Sequence, residues 1–269
     1  MIRNWLYDRG LLRIERVNIP VISIGNISVG GTGKTPLVIF LAKQFPQKKV
    51  AILSRGYCAQ KGELSDEMQL IRRHAPNALL YQGKDRCALA KRAQDDGADW
   101  ILLDDGLQYR RLARDLDLAI VRTEDTADHF LPWGRLRDHP SRLQSCMQVK
   151  TAPKVLSLRD RFGRSVSSIA NERIACFCGI GRPERFFKTM EAFQAVIVLR
   201  RILADHEPFF DIYSFFEKCK LLDVKYLVCT EKDFVKLPPI DLPLLWVEIE
   251  AEIEGVENLI EKIAATLNN

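Results

Sequence analysis

Apolar positions in this chain fall into short runs separated by stretches with helical spacing. Ile19–Ile24, Val50–Leu53, Trp100–Leu103 and Leu118–Val121 read as buried strands, with Lys34–Gln44 and Asp85–Gln94 as helices among them. A second alternation starts near Arg173. There Ile174–Cys178, Ala195–Leu199, Tyr226–Cys229 and Leu244–Ile249 read as strands, and Pro183–Ala192, Phe215–Leu221 and Val256–Leu267 as helices. Strands alternating with helices predict parallel βα units and an α/β fold. Thr123–Pro140 has few periodic apolar positions and reads as an extended loop. Thr151–Ser168 is charged and irregular, which puts a domain boundary there: a first domain over 1–160 and a smaller α/β domain over 161–269.

The first sixteen residues follow another pattern. Trp5, Leu6, Tyr7, Leu11, Leu12 and Ile14 are interleaved with Arg3, Arg9, Arg13 and Arg16. On a helix this makes a basic amphipathic segment, suited either to a membrane surface or to packing on its own domain. The longest apolar runs fall far short of the ~20 residues that span a bilayer. The expectation is therefore a chain that does not cross a membrane.

Composition narrows the classes only a little. With 47% hydrophobic and 28% charged residues, the 269-residue chain is of ordinary globular type, and collagen-like, disordered and disulfide-scaffold classes are excluded. The formal charge of +5 favours anionic partners without selecting one, and solvated surface charge accounts for it without nucleic-acid binding. Seven cysteines show no framework spacing, so Cys176 and Cys178 read as buried thiols of a strand.

The chemistry begins with Gly30-Gly31-Thr32-Gly33-Lys34-Thr35, set between a predicted strand and a predicted helix. Glycines allow backbone N–H groups to turn inward around phosphate oxygens, and the helix N-terminus favours negative charge. In such a loop Lys34 reaches the β- and γ-phosphates and the Thr35 hydroxyl ligates Mg²⁺. Ser28 stands where the strict pattern has glycine, so this is a variant loop. The fold expected is a P-loop NTPase-like parallel sheet domain with a second, smaller α/β domain. Leu102-Leu103-Asp104-Asp105 then delivers two carboxylates to the carboxyl edge of the sheet, where ligands of open α/β sheets bind. Such a pair serves as a turn or helix cap in most proteins. Downstream of a P-loop, metal binding is the expectation. Asp66 caps the helix that follows it or acts as a base, and His206 of Asp205-His206 would complete a carboxylate–histidine device for accepting a hydroxyl proton if it met Asp66; taken alone, each reads as structural.

Several stretches occur in order: Val29-Gly30-Gly31-Thr32-Gly33-Lys34-Thr35-Pro36, Leu53-Ser54-Arg55-Gly56-Tyr57, Ser65-Asp66-Glu67, Asp104-Asp105-Gly106-Leu107-Gln108, Leu131-Pro132-x-Gly134-x-Leu136-Arg137, Gly179-Ile180-Gly181-x-Pro183-Glu184-x-Phe186, Asp205-His206 and Thr230-Glu231-Lys232-Asp233. Together they resemble the tetraacyldisaccharide 4′-kinase family, the lipid A 4′-kinases of Gram-negative bacteria. The resemblance implies transfer of the ATP γ-phosphate to the 4′-hydroxyl of an acylated glucosamine disaccharide 1-phosphate, at the cytoplasmic face of the inner membrane, by a peripheral two-domain enzyme using Mg²⁺. By the same resemblance Asp66, His206 and Lys34 are catalytic, and Gly30, Gly31, Thr32, Gly33, Lys34 and Thr35 bind nucleotide. Thr35, Asp104, Asp105 and Asp138 then face the metal, and Arg55, Glu67, Gln108 and Arg137 the substrates. Tyr109, Trp133, Asp138, His139 and Glu207 depart from the family pattern. The alternative function is a variant P-loop nucleotide switch or ATPase insertion factor, for which Thr230-Glu231-Lys232-Asp233 faintly resembles a guanine-reading element.

Overall fold

The computed structural model describes residues 6–7, 9–29, 33–56, 63–121, 129–204, 211–237 and 243–268. Contacts divide the chain into two compact units, Met1–Pro153 with Ala251–Asn269, and Lys154–Glu250.

The first unit is built on β1 (Val21–Gly25), β2 (Val50–Ser54), β3 (Leu79–Gln82), β4 (Trp100–Asp104), β5 (Leu116–Ile120) and β6 (Met147–Val149). They form one sheet in the order β3-β2-β4-β1-β5-β6, parallel throughout. Strands β1, β2 and β4 are buried along their whole length, which is why their sequences run apolar without alternating. Successive side chains still point to opposite faces. Ile22, Ile24, Trp100 and Leu102 pack on one side with Leu37 and Leu41 of α1 (Lys34–Gln44), and Val21, Ile101 and Leu103 pack on the other with Cys87, Ala90 and Ala93 of α3 (Arg86–Asp95).

Helix α2 (Asp66–His74) and strand β3 have no counterpart in the hydropathy pattern. The helix buries only Met68 and Ile71, and the strand is a four-residue edge. The N-terminal segment is not one continuous helix. Leu6 and Tyr7 are helical, whereas Glu15 forms a parallel bridge to Leu112, with its N–H on the Arg111 carbonyl at 2.7 Å.

The second sheet, which holds the strands of the second unit, consists of β7 (Thr151–Asp160), β8 (Ser165–Val166), β9 (Arg173–Cys178), β10 (Val196–Ile202), β11 (Tyr226–Thr230) and β12 (Leu244–Ile253), in the order β10-β9-β11-β12-β7-β8; residues 151–153 of β7 and 251–253 of β12 count with the first unit. Helices α4 (Pro183–Ala192), α5 (Ile212–Lys220) and the short α6 (Glu231–Phe234) connect them. The stretch expected to be irregular is the β7–β8 hairpin. Its charges are accommodated by pairing: Arg159 Nε lies 2.7 Å from Glu248, and Asp160 accepts the Phe162 and Arg164 amides in the turn.

The expected boundary at 160/161 also needs correction. The last helix, α7 (Val256–Leu267), lies beyond it in sequence, yet Leu259, Ile263 and Leu267 belong to the core of the first unit. A linear reading cannot see a chain that returns to its first sheet.

Candidate active site

The carboxyl edge of the first sheet gathers the chemistry. Beyond β1 come Asn26, Ile27 and Ser28, all buried, and α1 then opens at Gly33. Gly33 has φ +88°, a left-handed conformation that costs glycine little. No side chain caps α1, so its first N–H groups remain available to an anion. Lys34 and Thr35 are the first two residues of the helix. Gly30, Gly31 and Thr32 lie outside the described residues.

Lys34 Nζ is 3.4 Å from Asn26 Oδ1 and 3.4 Å from Asp105 Oδ1. Asp105 is engaged at the same time by the Arg137 guanidinium, whose NH1 donates to Oδ2 at 2.9 Å while NH2 donates to Oδ1. Arg137 NH2 also donates to Asn26 Oδ1, and Gln108 Nε2 donates to the Asn26 carbonyl at 3.0 Å. Burial alone would raise the pKa of Asp105. The Arg137 hydrogen bonds and the Lys34 charge outweigh it and hold the pKa at about 2. Asp105 itself has φ +53°, uncommon for a residue with a side chain. Such local strain is frequent at functional sites.

Asp104, one residue earlier, has the opposite environment. Its pKa is pushed up to about 6, first by burial and then by the nearby charges of Asp105 and Glu67 against the pull of Lys34. Oδ2 accepts from Ser54 Oγ at 3.4 Å, while the buried Oδ1 has no hydrogen-bond partner. Gly106 is required by close approach, since a Cβ there would sit 2.6 Å from Ser23 Oγ and 2.8 Å from Leu103.

The other expected residues are less tightly gathered. Asp66 is the first residue of α2 but not its cap, because Ser65 Oγ accepts the Met68 N–H at 3.4 Å. Glu67 follows it, and its charge is felt at Asp104. Arg55 is exposed just after β2. Asp138 is held by its own loop: Oδ1 accepts the His139 N–H at 3.0 Å and Oδ2 lies 3.8 Å from Arg142 Nε. Asp205, His206 and Glu207 lie outside the described residues. Among the described residues, no group of three or more His, Cys, Asp or Glu side chains is arranged around a metal position.

Two residues with parts in the site had no place in the sequence reading. Asn26 is the shared acceptor of Lys34 and Arg137. An amide directly after the mostly apolar run Val21–Gly25 was the signal available. Arg86 is the other, only 8% exposed, with its guanidinium 4.1 Å above the Tyr109 ring and Nε without a hydrogen-bond partner. Burial lowers its pKa, opposed by the charges of Tyr109, Asp105 and Asp104. Tyr109 OH in turn reaches Asp85 Oδ1 at 3.3 Å. Tyr109 and Gln108 line a cavity of about 290 Å³ together with Lys84, Arg110 and Arg111.

A parallel sheet, an uncapped helix N-terminus carrying Lys-Thr, and strand-end carboxylates beside that lysine define a P-loop phosphotransfer protein. The family described as tetraacyldisaccharide-1-P 4′-kinase (LpxK) matches residues 1–268. The chain is 33% identical to the tetraacyldisaccharide 4′-kinase of Anaeromyxobacter dehalogenans (strain 2CP-C), over 88% of this chain and 78% of that one. It is 30% identical to the enzyme of the same name from Mannheimia succiniciproducens, over 97% and 90%. The crystal structure of LpxK from Aquifex aeolicus in complex with ATP superposes with a TM-score of 0.81 at 25% identity, covering 99% of this chain and 94% of that one. The chain belongs to the tetraacyldisaccharide 4′-kinase family and is an ATP-dependent kinase.

Proposed function

We propose that this chain passes the γ-phosphoryl group of ATP to the 4′-hydroxyl of an acylated glucosamine disaccharide 1-phosphate. The acceptor oxygen bonds to the γ-phosphorus, the bond to the β–γ bridging oxygen breaks, ADP leaves, and the hydroxyl proton passes to the base, a role for which Asp66 and His206 are the candidates. The observation that carries this reading is the knot of Lys34, Asp105, Arg137 and Asn26 beside the uncapped start of α1. It holds the lysine ammonium beside the start of the helix, where phosphate oxygens would meet the helix amides, and keeps the Arg137 guanidinium bonded to Asp105 and Asn26 in the same cluster. Because the transition state of phosphoryl transfer is largely dissociative, this placement of charge counts for more than the strength of the base.

The residues present fit a magnesium ion. Asp104 keeps a buried oxygen without a hydrogen-bond partner at the strand end, and the Thr35 hydroxyl is the other oxygen donor, whereas Asp105, both of whose oxygens accept from Arg137, is assigned an indirect part. When bound, such an ion neutralises charge on the β- and γ-phosphates. Asp138, already engaged by His139 and Arg142, is assigned an indirect part.

The membrane surface belongs to the same proposal. Among the described residues no helix is long and apolar enough to cross a membrane. However, Phe130, Leu131 and Trp133 are exposed at the tip of the loop that carries Arg137, and Trp133 is 86% exposed. This tip is held out by backbone bonds from Gly134 to Phe130 and from Leu131 to Leu136, while Leu136 is buried. An exposed tryptophan on a braced loop suits the interfacial region of a bilayer.

The switch reading loses its support. The Asp233 carboxylate, which would have to read a base, is buried and bonded to Gly179 N and Thr230 Oγ1.

The test is to incubate the protein with γ-labelled ATP, Mg²⁺ and the disaccharide 1-phosphate, then locate the label by ³¹P NMR. Label on the 4′-oxygen, lost with EDTA, supports the proposal. Release of inorganic phosphate without labelled lipid would overturn it.

A further inference from the structure

Thr230-Glu231-Lys232-Asp233 and Gly179-Ile180-Gly181 have no part in the nucleotide site, yet the structure joins them. In the second sheet β9 lies between β10 and β11, and all three run parallel. From β9 the chain crosses to β10, and from β11 it crosses to β12 on the opposite side. The carboxyl ends of β9 and β11 therefore flank a topological switch point, where open α/β sheets usually leave a crevice for a ligand. Here the chain's own carboxylate occupies it. Asp233, 2% exposed, accepts the Gly179 N–H on Oδ2 at 2.9 Å and the Thr230 hydroxyl on the same oxygen at 2.6 Å. Thr230 Oγ1 accepts the Asp233 N–H at 3.2 Å in return, capping α6.

The third strand end is bound in as well. The Leu203 N–H donates to the Cys178 carbonyl at 2.9 Å, directly before Gly179. A Cβ on Gly179 would meet Asp233 Oδ1 at 3.0 Å and the Ala204 carbonyl and Leu203 Cβ at 3.4 Å. The Cys178–Gly179 peptide is thus held from both sides, its N–H by the Asp233 carboxylate and its carbonyl by the Leu203 N–H at the exit of β10. The second residue after Ala204 in the sequence is His206. A charge-bearing group can serve as a base only if its backbone root is fixed, because loss of a fraction of an ångström in placement costs rate steeply.

We infer that Asp233, through Gly179 and with Thr230, is a positioning residue that fixes the root of the segment carrying His206. This rests on the role given to His206 above. The Asp233 carboxylate touches no reacting atom and acts through the Leu203–Ala204 backbone.

The experiment uses the full chain with Asp233→Asn, Thr230→Val and Thr230→Ser, each alone, and Asp233→Asn combined with His206→Ala. Label transfer gives kcat and KM, and hydrogen exchange reads the amides of the segment 199–211. Asp233→Asn and Thr230→Val should lower kcat by about tenfold while leaving KM for ATP within about twofold, because only the placement of the acceptor machinery changes. Thr230→Ser, which keeps the hydroxyl, should restore it, and exchange over 199–211 should quicken in the two damaging variants alone. On the His206→Ala background Asp233→Asn should change kcat by less than about twofold, the non-additivity expected of residues acting as one unit. Wild-type kcat in both Asp233→Asn and Thr230→Val would overturn the inference, as would the same tenfold loss with His206 already removed. Unchanged exchange over 199–211 in the damaging variants would also overturn it. Full activity of His206→Ala would instead refute the role given to His206, and exchange would then judge the tie by itself. Thr230→Val, which keeps the shape of the residue, covers the case in which Asp233→Asn fails to fold.

Discussion

Asn26 offers the sharpest test of how the site is held together. It is fully buried, its Oδ1 accepts from Arg137 NH2 and from Lys34 Nζ at 3.4 Å, and its Nδ2 donates to the Ser28 carbonyl at 2.5 Å. Replacement by alanine removes all three contacts. Hydrogen bonds to charged groups contribute about 1.5–3 kcal/mol and an orphaned buried carbonyl costs about 1–3 kcal/mol. Arg137 keeps Asp105, and the Lys34 contact is long, so the lower ends apply and the sum is about 2–3 kcal/mol. For a unit of this size that corresponds to a fall in Tm of roughly 5–10 °C.

Asn26→Asp separates stability from nucleotide binding. It keeps the acceptor oxygen and adds a second carboxylate beside Lys34. At 3.4 Å the attraction is about 5 kcal/mol for an effective dielectric near 20. Lys34 is 22% exposed. Screening there brings this down to about 1–3 kcal/mol, or roughly 10–100-fold in affinity for ATP. The assay pairs a thermal melt with equilibrium titration of a fluorescent ATP analogue. Wild-type affinity in Asn26→Asp would refute the claim that Asn26 and Asp105 hold the lysine in readiness. An unchanged melt in Asn26→Ala would refute the stability reasoning.

Other expectations follow from single contacts. Tyr109→Leu removes the ring beneath Arg86 and should cost about 1 kcal/mol in a urea titration, whereas Tyr109→Phe should recover most of it. Ile263→Ala, in the last helix, should destabilise the first unit by about 2–5 kcal/mol, seen as an earlier urea transition of the nucleotide-binding unit, because Ile263 is fully buried in that unit's core. Trp133→Ser should weaken sedimentation with anionic vesicles while leaving the melt unchanged. Equal vesicle binding would remove the loop tip from the membrane proposal.

How much of this was legible beforehand follows from where each signal resides. Strands β1, β2 and β4 were readable because burial on both faces makes them mostly apolar without alternation, and α1 because a glycine loop precedes Lys34-Thr35. The β7–β8 hairpin was not, since its Lys and Arg side chains lie on exposed or cross-paired positions and mask the strand pattern. Asp104 and Asp105 were legible as a pair, whereas their opposite electrostatic fates depend on Arg137, thirty-odd residues further along the chain. Asn26 and Arg86 were invisible for the same reason: a buried polar group shows its meaning only once its partners are in place. The return of α7 to the first unit is a long-range fact that no local window contains.

The most direct test of the central claim is Lys34→Ala in the label-transfer assay, with far-UV circular dichroism and a melt as the fold control. The account predicts a folded protein whose transfer of the γ-phosphoryl group to the 4′-hydroxyl falls by about a thousandfold or more, in line with the loss of a preorganised charge at the transferring group. Transfer at the wild-type rate by the folded variant would contradict it.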